Sequence, residues 1–203
     1  MNLSLKDSNF PFPDLLKRLS PTAPEICLYK NQNTERWDSW GVRDVAILCD
    51  EAGSFIADSN EMYMYYTGSF SEGKIQQTGR AVSKNNGKNW IKEPLTPVLG
   101  ISTNEWDSSV SATPWVIKLE STYHLFYRGS RNASFSDAIG LATSNDGIHF
   151  QKYCGNPIIK PEDFAGIRSQ PSCMGVLNAV QDYDGNLIVL FEAVEEYNQQ
   201  RGQ

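Results

Sequence analysis

The chain has 203 residues, enough for one sizeable domain with its own apolar core or two small ones. Hydrophobic residues make up 40% and charged residues 21%, the balance of a globular chain rather than a disordered one. The net charge of −6, a pI near 5.0 and the lack of any Lys/Arg cluster argue against nucleic acid and anionic membrane surfaces as partners.

No apolar run approaches the roughly 18 residues that a membrane-spanning helix needs. Met1 to Pro13 has no apolar h-region, so no secretory signal is read and a cytoplasmic location is expected. Cys27, Cys49, Cys154 and Cys173 show no C-x-x-C spacing, which removes zinc and thioredoxin-like readings. They are expected to be reduced, mostly buried thiols. No metal and no cofactor are expected.

Residues 1–35 form a leader broken by Pro11, Pro13, Pro21 and Pro24, expected to pack along the outside of the main domain. From Trp37 the pattern is all β. Arg36-Trp37-Asp38-Ser39-Trp40-Gly41-Val42-Arg43-Asp44 is a polar approach to the apolar run Val45 to Cys49, which is expected to be a strand buried on both faces. Met62 to Thr67 is aromatic and β-prone, and Gly79 to Ser83 is a third strand. Ser83 to Trp90 predicts a tight turn in which Gly87 supplies positive φ and Trp90 anchors a fourth strand.

The order then repeats. Glu105-Trp106-Asp107-Ser108 echoes the first Trp-Asp-Ser, and the spacing from Trp37 to Asp44 equals that from Trp106 to Thr113. One copy therefore carries a carboxylate where the other carries a hydroxyl. Trp115 to Leu119, Tyr123 to Gly129 and Gly140 to Ser144 match the three strands, and Asn145-Asp146-Gly147 with Phe150 matches the turn. A third unit has Val176 to Val180, a turn at Asp182 to Asn186, and Leu187 to Ala193. Units of roughly 60–70 residues with four strands are propeller blades. The expected architecture is an all-β propeller of four-stranded blades over 36–203, with blades about 36–100, 101–161 and an incomplete 162–203. An ordinary β-sandwich is the alternative.

In a blade, the start of the inner strand and the end of the second strand lie on one face. Arg43 and Asp44 should therefore share that face with Arg128 and Glu192, which end the second strands of units two and three. Two carboxylates with guanidiniums nearby suit glycosyl transfer, which uses a paired acid and base. Trp40, Asp107 and Arg168 are further candidate substrate ligands, and Trp40 and Trp106 could platform a sugar ring. Trp37, Trp90 and Trp115 read as core, and His124 and His149 as packing and turn residues. The repeated Asp38 and Asp107 also fit a purely structural turn. Asp44 could equally be occupied by Arg43, and Arg128 could pair with Glu192 between blades.

Gly41-Val42-Arg43-Asp44, the strand end Tyr65 to Gly68, Gly140 to Ser144 with Asn-Asp-Gly and an aromatic, and Asn156-Pro157-Ile158-Ile159 together resemble the five-bladed propeller glycosidase superfamily. Its members include glycoside hydrolase families 32, 43 and 68 and the mannoside phosphorylases. The resemblance covers about residues 36–200. It implies an Arg-Asp pair at an inner-strand start with the Asp in or near the sugar subsite, onto which Arg43 and Asp44 fall. It also implies a carbohydrate substrate and bond cleavage by hydrolysis or phosphorolysis. Two positions depart from the pattern. Val45 stands where Pro commonly follows the pair, and the family's acid Glu lies near an inner-strand start, where this chain has Thr113 in unit two and a residue near Pro171 in unit three. Glu192 is assigned from blade geometry, not from the motif.

Five such blades need roughly 300 residues, so this sequence reads as a piece of a propeller or as copies that assemble to cover an open one. The alternative function is a propeller that binds glycans or proteins without catalysis, or an inactive fragment.

Overall fold

The computed structural model describes residues 28–50, 57–58, 61–85, 87–131, 137–164 and 171–195. Most of the leader lies outside them. Strands β1 (Gly41–Ile47), β2 (Cys49–Asp50), β3 (Ala57–Asp58), β4 (Glu61–Phe70), β5 (Ile75–Ser83) and β6 (Ile91–Lys92) come first. β7 (Val110–Leu119), β8 (Thr122–Ser130), β9 (Ala138–Ser144) and β10 (Gln151–Lys152) follow. A 3-10 turn at Pro161–Phe164 leads to β11 (Pro171–Gln181) and β12 (Leu187–Glu195).

Pairing sorts these strands into blades. β1-β4-β5-β6 and β7-β8-β9-β10 are four-stranded antiparallel meanders, and β11-β12 is a hairpin. Short parallel pairings, β5 with β7 and β2 with β7, stitch blade one to blade two. The architecture is a β-propeller sector of four-stranded blades.

Aromatic and branched side chains alternate along β4 and β8, so each blade presents one set of apolar residues to the blade before it and another to the blade after it. Leu48 and Tyr65 of blade one pack with Val116, Leu125 and Tyr127 of blade two. Ile117, Phe126 and Ile139 of blade two pack with Met174, Val176 and Ala179 of the third unit. Tyr65 also donates its hydroxyl to the Gly147 carbonyl (2.8 Å) and meets Phe150 edge-on, both across the blade boundary. On the far side of the third unit Leu177, Ile188 and Leu190 are open to solvent. Leu190 occupies the place that Tyr65 and Phe126 hold in the earlier blades, where they are 0% and 2% exposed against its 56%.

The predicted turns form as expected. Ser83 Oγ accepts from the Gly87 N–H and Asn85 Oδ1 from the Asn89 N–H, while Ser144 Oγ accepts from the Gly147 N–H and Asp146 Oδ1 from the N–H groups of Ile148 and His149. Gly87 and Gly147 sit at φ 78° and 71°, where a side chain would be strained. Trp90 and Phe150 then lead directly into β6 and β10.

One expectation needs correction. Val45 is not buried on both faces but exposed, because β1 shifts register between Arg43 and Ala46 and turns it outward. Cys154 is an exposed free thiol, an exception to the mostly buried cysteines expected. Among the described residues no helix is long and apolar enough to cross a membrane, and no group of His, Cys, Asp and Glu is placed to hold a metal ion.

Candidate functional site

The repeated Trp-Asp-Ser is a latch inside each blade. Trp37 stacks on Tyr66 (5.8 Å between ring centroids) and Trp106 on Tyr127 (5.7 Å). Each indole lies over a glycine of the second strand. A Cβ at Gly68 would fall 2.1 Å from the Trp37 ring, and one at Gly129 would fall 2.1 Å from the Trp106 ring. The following Asp is buried and accepts from the same blade's Tyr hydroxyl, Tyr66 to Asp38 (3.4 Å) and Tyr127 to Asp107 (3.1 Å). A lysine of the fourth strand completes the set, Lys92 with Asp38 and Lys152 with Asp107 (2.5 Å).

This corrects two readings. Asp107 is a substrate ligand in neither position nor exposure; its carboxylate is enclosed and neutralised by Lys152. Trp106 is half-buried, stacked on Tyr127 and packed over Gly129, and so serves the latch rather than standing open like Trp40.

The buried phenols carry a pH signature. Burial first, and then the adjacent Asp38 or Asp107 carboxylate, push the Tyr66 and Tyr127 hydroxyls well above the ordinary phenol range, and burial does the same at Tyr65. A folded-state pKa above the unfolded value gives stability that is complete below about pH 10 and lost as pH rises beyond it. Alkaline titration followed at the tyrosinate absorbance should show these three phenols ionising only together with unfolding. Smooth ionisation of every tyrosine near pH 10 in the folded protein would contradict this.

The candidate face lies at the starts of the inner strands. Asp44 and Thr113 both occupy left-handed backbone, each at φ 50°, at the register shifts of β1 and β7. Asp tolerates that conformation and branched Thr does so rarely, so the equivalent bend in both blades is imposed by the fold. Arg43 stands opposite Thr67 across the β1–β4 pair. Thr67 Oγ1 accepts from the Thr113 N–H (2.8 Å), carrying the line from blade one into blade two. A Cβ at Gly175 would lie 3.7 Å from the Thr113 methyl and 3.4 Å from Glu192 Oε1, carrying it into the third unit. Arg43, Asp44, Thr113 and Glu192 therefore occupy one continuous edge of the sector.

Within that edge the charges differ in freedom. Arg43 Nε sits 3.3 Å from Asp44 Oδ2, with side chains 44% and 36% exposed. An ion pair so open to water contributes at most about 1 kcal/mol, so a ligand can displace it. Glu192 is exposed. Arg128 is engaged: its Nε lies 2.9 Å from the carboxylate of buried Asp137. Trp40 is exposed at the entry to β1. Arg168 lies outside the described residues.

Asp137 escaped the sequence reading. Its signal was positional: Asp137 stands three residues before Gly140 as Gln76 stands three before Gly79, and both are buried polar residues at the start of a third strand.

No protein-family model and no curated protein matches the sequence. Solved structures do match. A family 117 glycoside hydrolase, Zg3597 from Zobellia galactanivorans, aligns with TM-score 0.59 and 17% identity over 86% of this chain and 45% of its own. The β-1,2-mannobiose phosphorylase from Listeria innocua aligns with TM-score 0.56 and 20% identity over 75% of this chain and 41% of its own. A structure from the family 130 mannoside phosphorylases, a family containing hydrolases that target β-1,2-mannosidic linkages in Candida mannan, aligns with TM-score 0.55 and 14% identity over 84% and 49%. The chain spans about half the length of these structures. At such identities the likeness shows the fold alone, a sector of a β-propeller.

Proposed function

We propose that the protein acts on a glycosidic bond, by hydrolysis or phosphorolysis, with Asp44 and Glu192 as its working carboxylates. The observation that carries this reading is the single edge on which Asp44 and Glu192 stand exposed, linked through Thr67, Thr113 and Gly175.

Asp44 is the base or the carboxylate that stabilises positive charge developing on the sugar, and Glu192 is the acid that protonates the leaving oxygen. Arg43 pairs with Asp44 until substrate enters and then turns to a sugar hydroxyl or to phosphate. Arginines clamp phosphate through paired N–H groups, so Arg43 and Arg168 favour phosphorolysis, while Arg128 contributes through its anchored guanidinium. The likeness to family 117 and family 130 proteins supports this class; assignment to families 32, 43 or 68 rests on the motif resemblance. Carbohydrate is the partner we assign, in a cytoplasmic protein whose open third unit is covered by further propeller or by another copy. A glycan-binding propeller without catalysis is favoured by one observation, Thr113 at the place in blade two that Asp44 holds in blade one.

The test is Asp44→Asn assayed on a glycoside panel with and without phosphate. Asn accepts left-handed backbone, so the fold should be retained. Turnover should fall by about a hundredfold or more, and a requirement for phosphate identifies phosphorolysis. Unchanged turnover removes Asp44 from the mechanism.

A further inference from the structure

We infer that Trp40 is a stacking platform for a sugar ring other than the one that Asp44 contacts, so that binding strengthens once the glycan extends beyond that single ring. The inference rests on the reading of Asp44 given above.

A single exposed aromatic is ordinary on a protein surface. What separates Trp40 is the chain's own repeat. Trp40 follows Trp37 at the spacing by which Ser109 follows Trp106. The two residues make the same backbone bond: the Trp40 N–H donates to the Ser69 carbonyl (2.9 Å) and the Ser109 N–H to the Ser130 carbonyl (3.0 Å). Blade two thus builds the same strand entry with a hydroxymethyl group, and the blade does not need an indole there. Yet in blade one the indole is present and 56% open to water. Trp37 and Trp106, by contrast, are stacked on tyrosines.

The indole is also held. Its Cδ1–Nε1 edge lies against Gly73, with 3.5 Å to the position a Cβ would take. Gly73 closes the β4–β5 turn, in which Ser71, Glu72 and Gly73 all have positive φ (51°, 58° and 81°). A ring packed on one edge and open elsewhere loses little freedom when a ligand stacks on it, which suits recognition of the apolar C–H face of a pyranose or furanose.

Position sets which ring it meets. Trp40 directly precedes β1, and Asp44 lies four residues on, past the extended residues 41–43, which advance about 3.3 Å each. Their backbone separation is therefore at most about 13 Å, more than one sugar ring covers. The platform is placed for a ring beside the one at Asp44.

The test is calorimetric titration of the full chain with two ladders, mannose with β-1,2-mannan oligosaccharides and arabinose with arabinan oligosaccharides, each from monosaccharide to octasaccharide. The proteins compared are the wild type, Trp40→Ser (blade two's own residue), Trp40→Phe and Asp44→Asn. Affinity for one ladder should rise with length in the wild type. Trp40→Ser should flatten the rise, costing the longer members about tenfold, and Trp40→Phe should restore most of it. A rise that persists in Trp40→Ser, a loss equal for monosaccharide and octasaccharide, or no binding of either ladder by the wild type would overturn the inference. Failure of the catalytic reading looks different: Asp44→Asn would keep its turnover while the length dependence at Trp40 remained.

Discussion

Asp107→Ala is expected to lower the stability of the chain by about 3 kcal/mol, a fall in Tm of about 6–12 °C for a protein of this size. Asp107 is fully enclosed, and its removal strands the Lys152 ammonium and the Tyr127 hydroxyl together. Breaking one side of a buried pair typically costs about 3–5 kcal/mol. The lower end applies because Lys152 keeps 22% of its side chain exposed and can reach water. Adding Lys152→Met should recover much of the loss, since an apolar pair needs no neutralisation. Thermal unfolding of the two single variants and the double would check this, and losses that simply add would show that the two groups do not act as a pair.

Gly129→Ala should be nearly as damaging, about 3 kcal/mol from one added methyl group. Its Cβ would sit 2.1 Å from one Trp106 ring carbon and 2.4 Å from another, and that ring is held against Tyr127 on its stacked face. The indole cannot swing clear without losing the stack, so the strand or the latch must open. The clash belongs to the pair: in a Trp106→Ala background the same substitution should be close to neutral. Equal loss in both backgrounds would place the strain elsewhere, in the backbone of β8.

Much of the architecture was legible because repetition supplies its own control. One Trp-Asp-Ser could be coincidence, but two at matched distances from Asp44 and Thr113, each followed by the same strand order, define blades. The turns at Ser83 and Ser144 were readable because side-chain caps and positive-φ glycine act locally. The candidate edge was legible only as a shared face. That Asp107 lies inside and Arg128 belongs to Asp137 depends on which neighbour each side chain meets across strands, and spacing along the chain does not carry that. Val45 was misjudged for a related reason. An apolar run reads as buried, but the register shift beside it rotates one member outward, and the shift leaves no mark in hydrophobicity.

The bend at position 44 has a consequence for how this site can drift. Backbone at φ 50° readily admits only Asn, Asp and Gly. Every replacement that leaves the strand undisturbed therefore also discards the negative charge. Neutralising position 44 takes a single amino-acid exchange that costs the scaffold almost nothing, so on the function proposed above a cleaving propeller and a silent sugar-holding one would lie one conformationally free step apart.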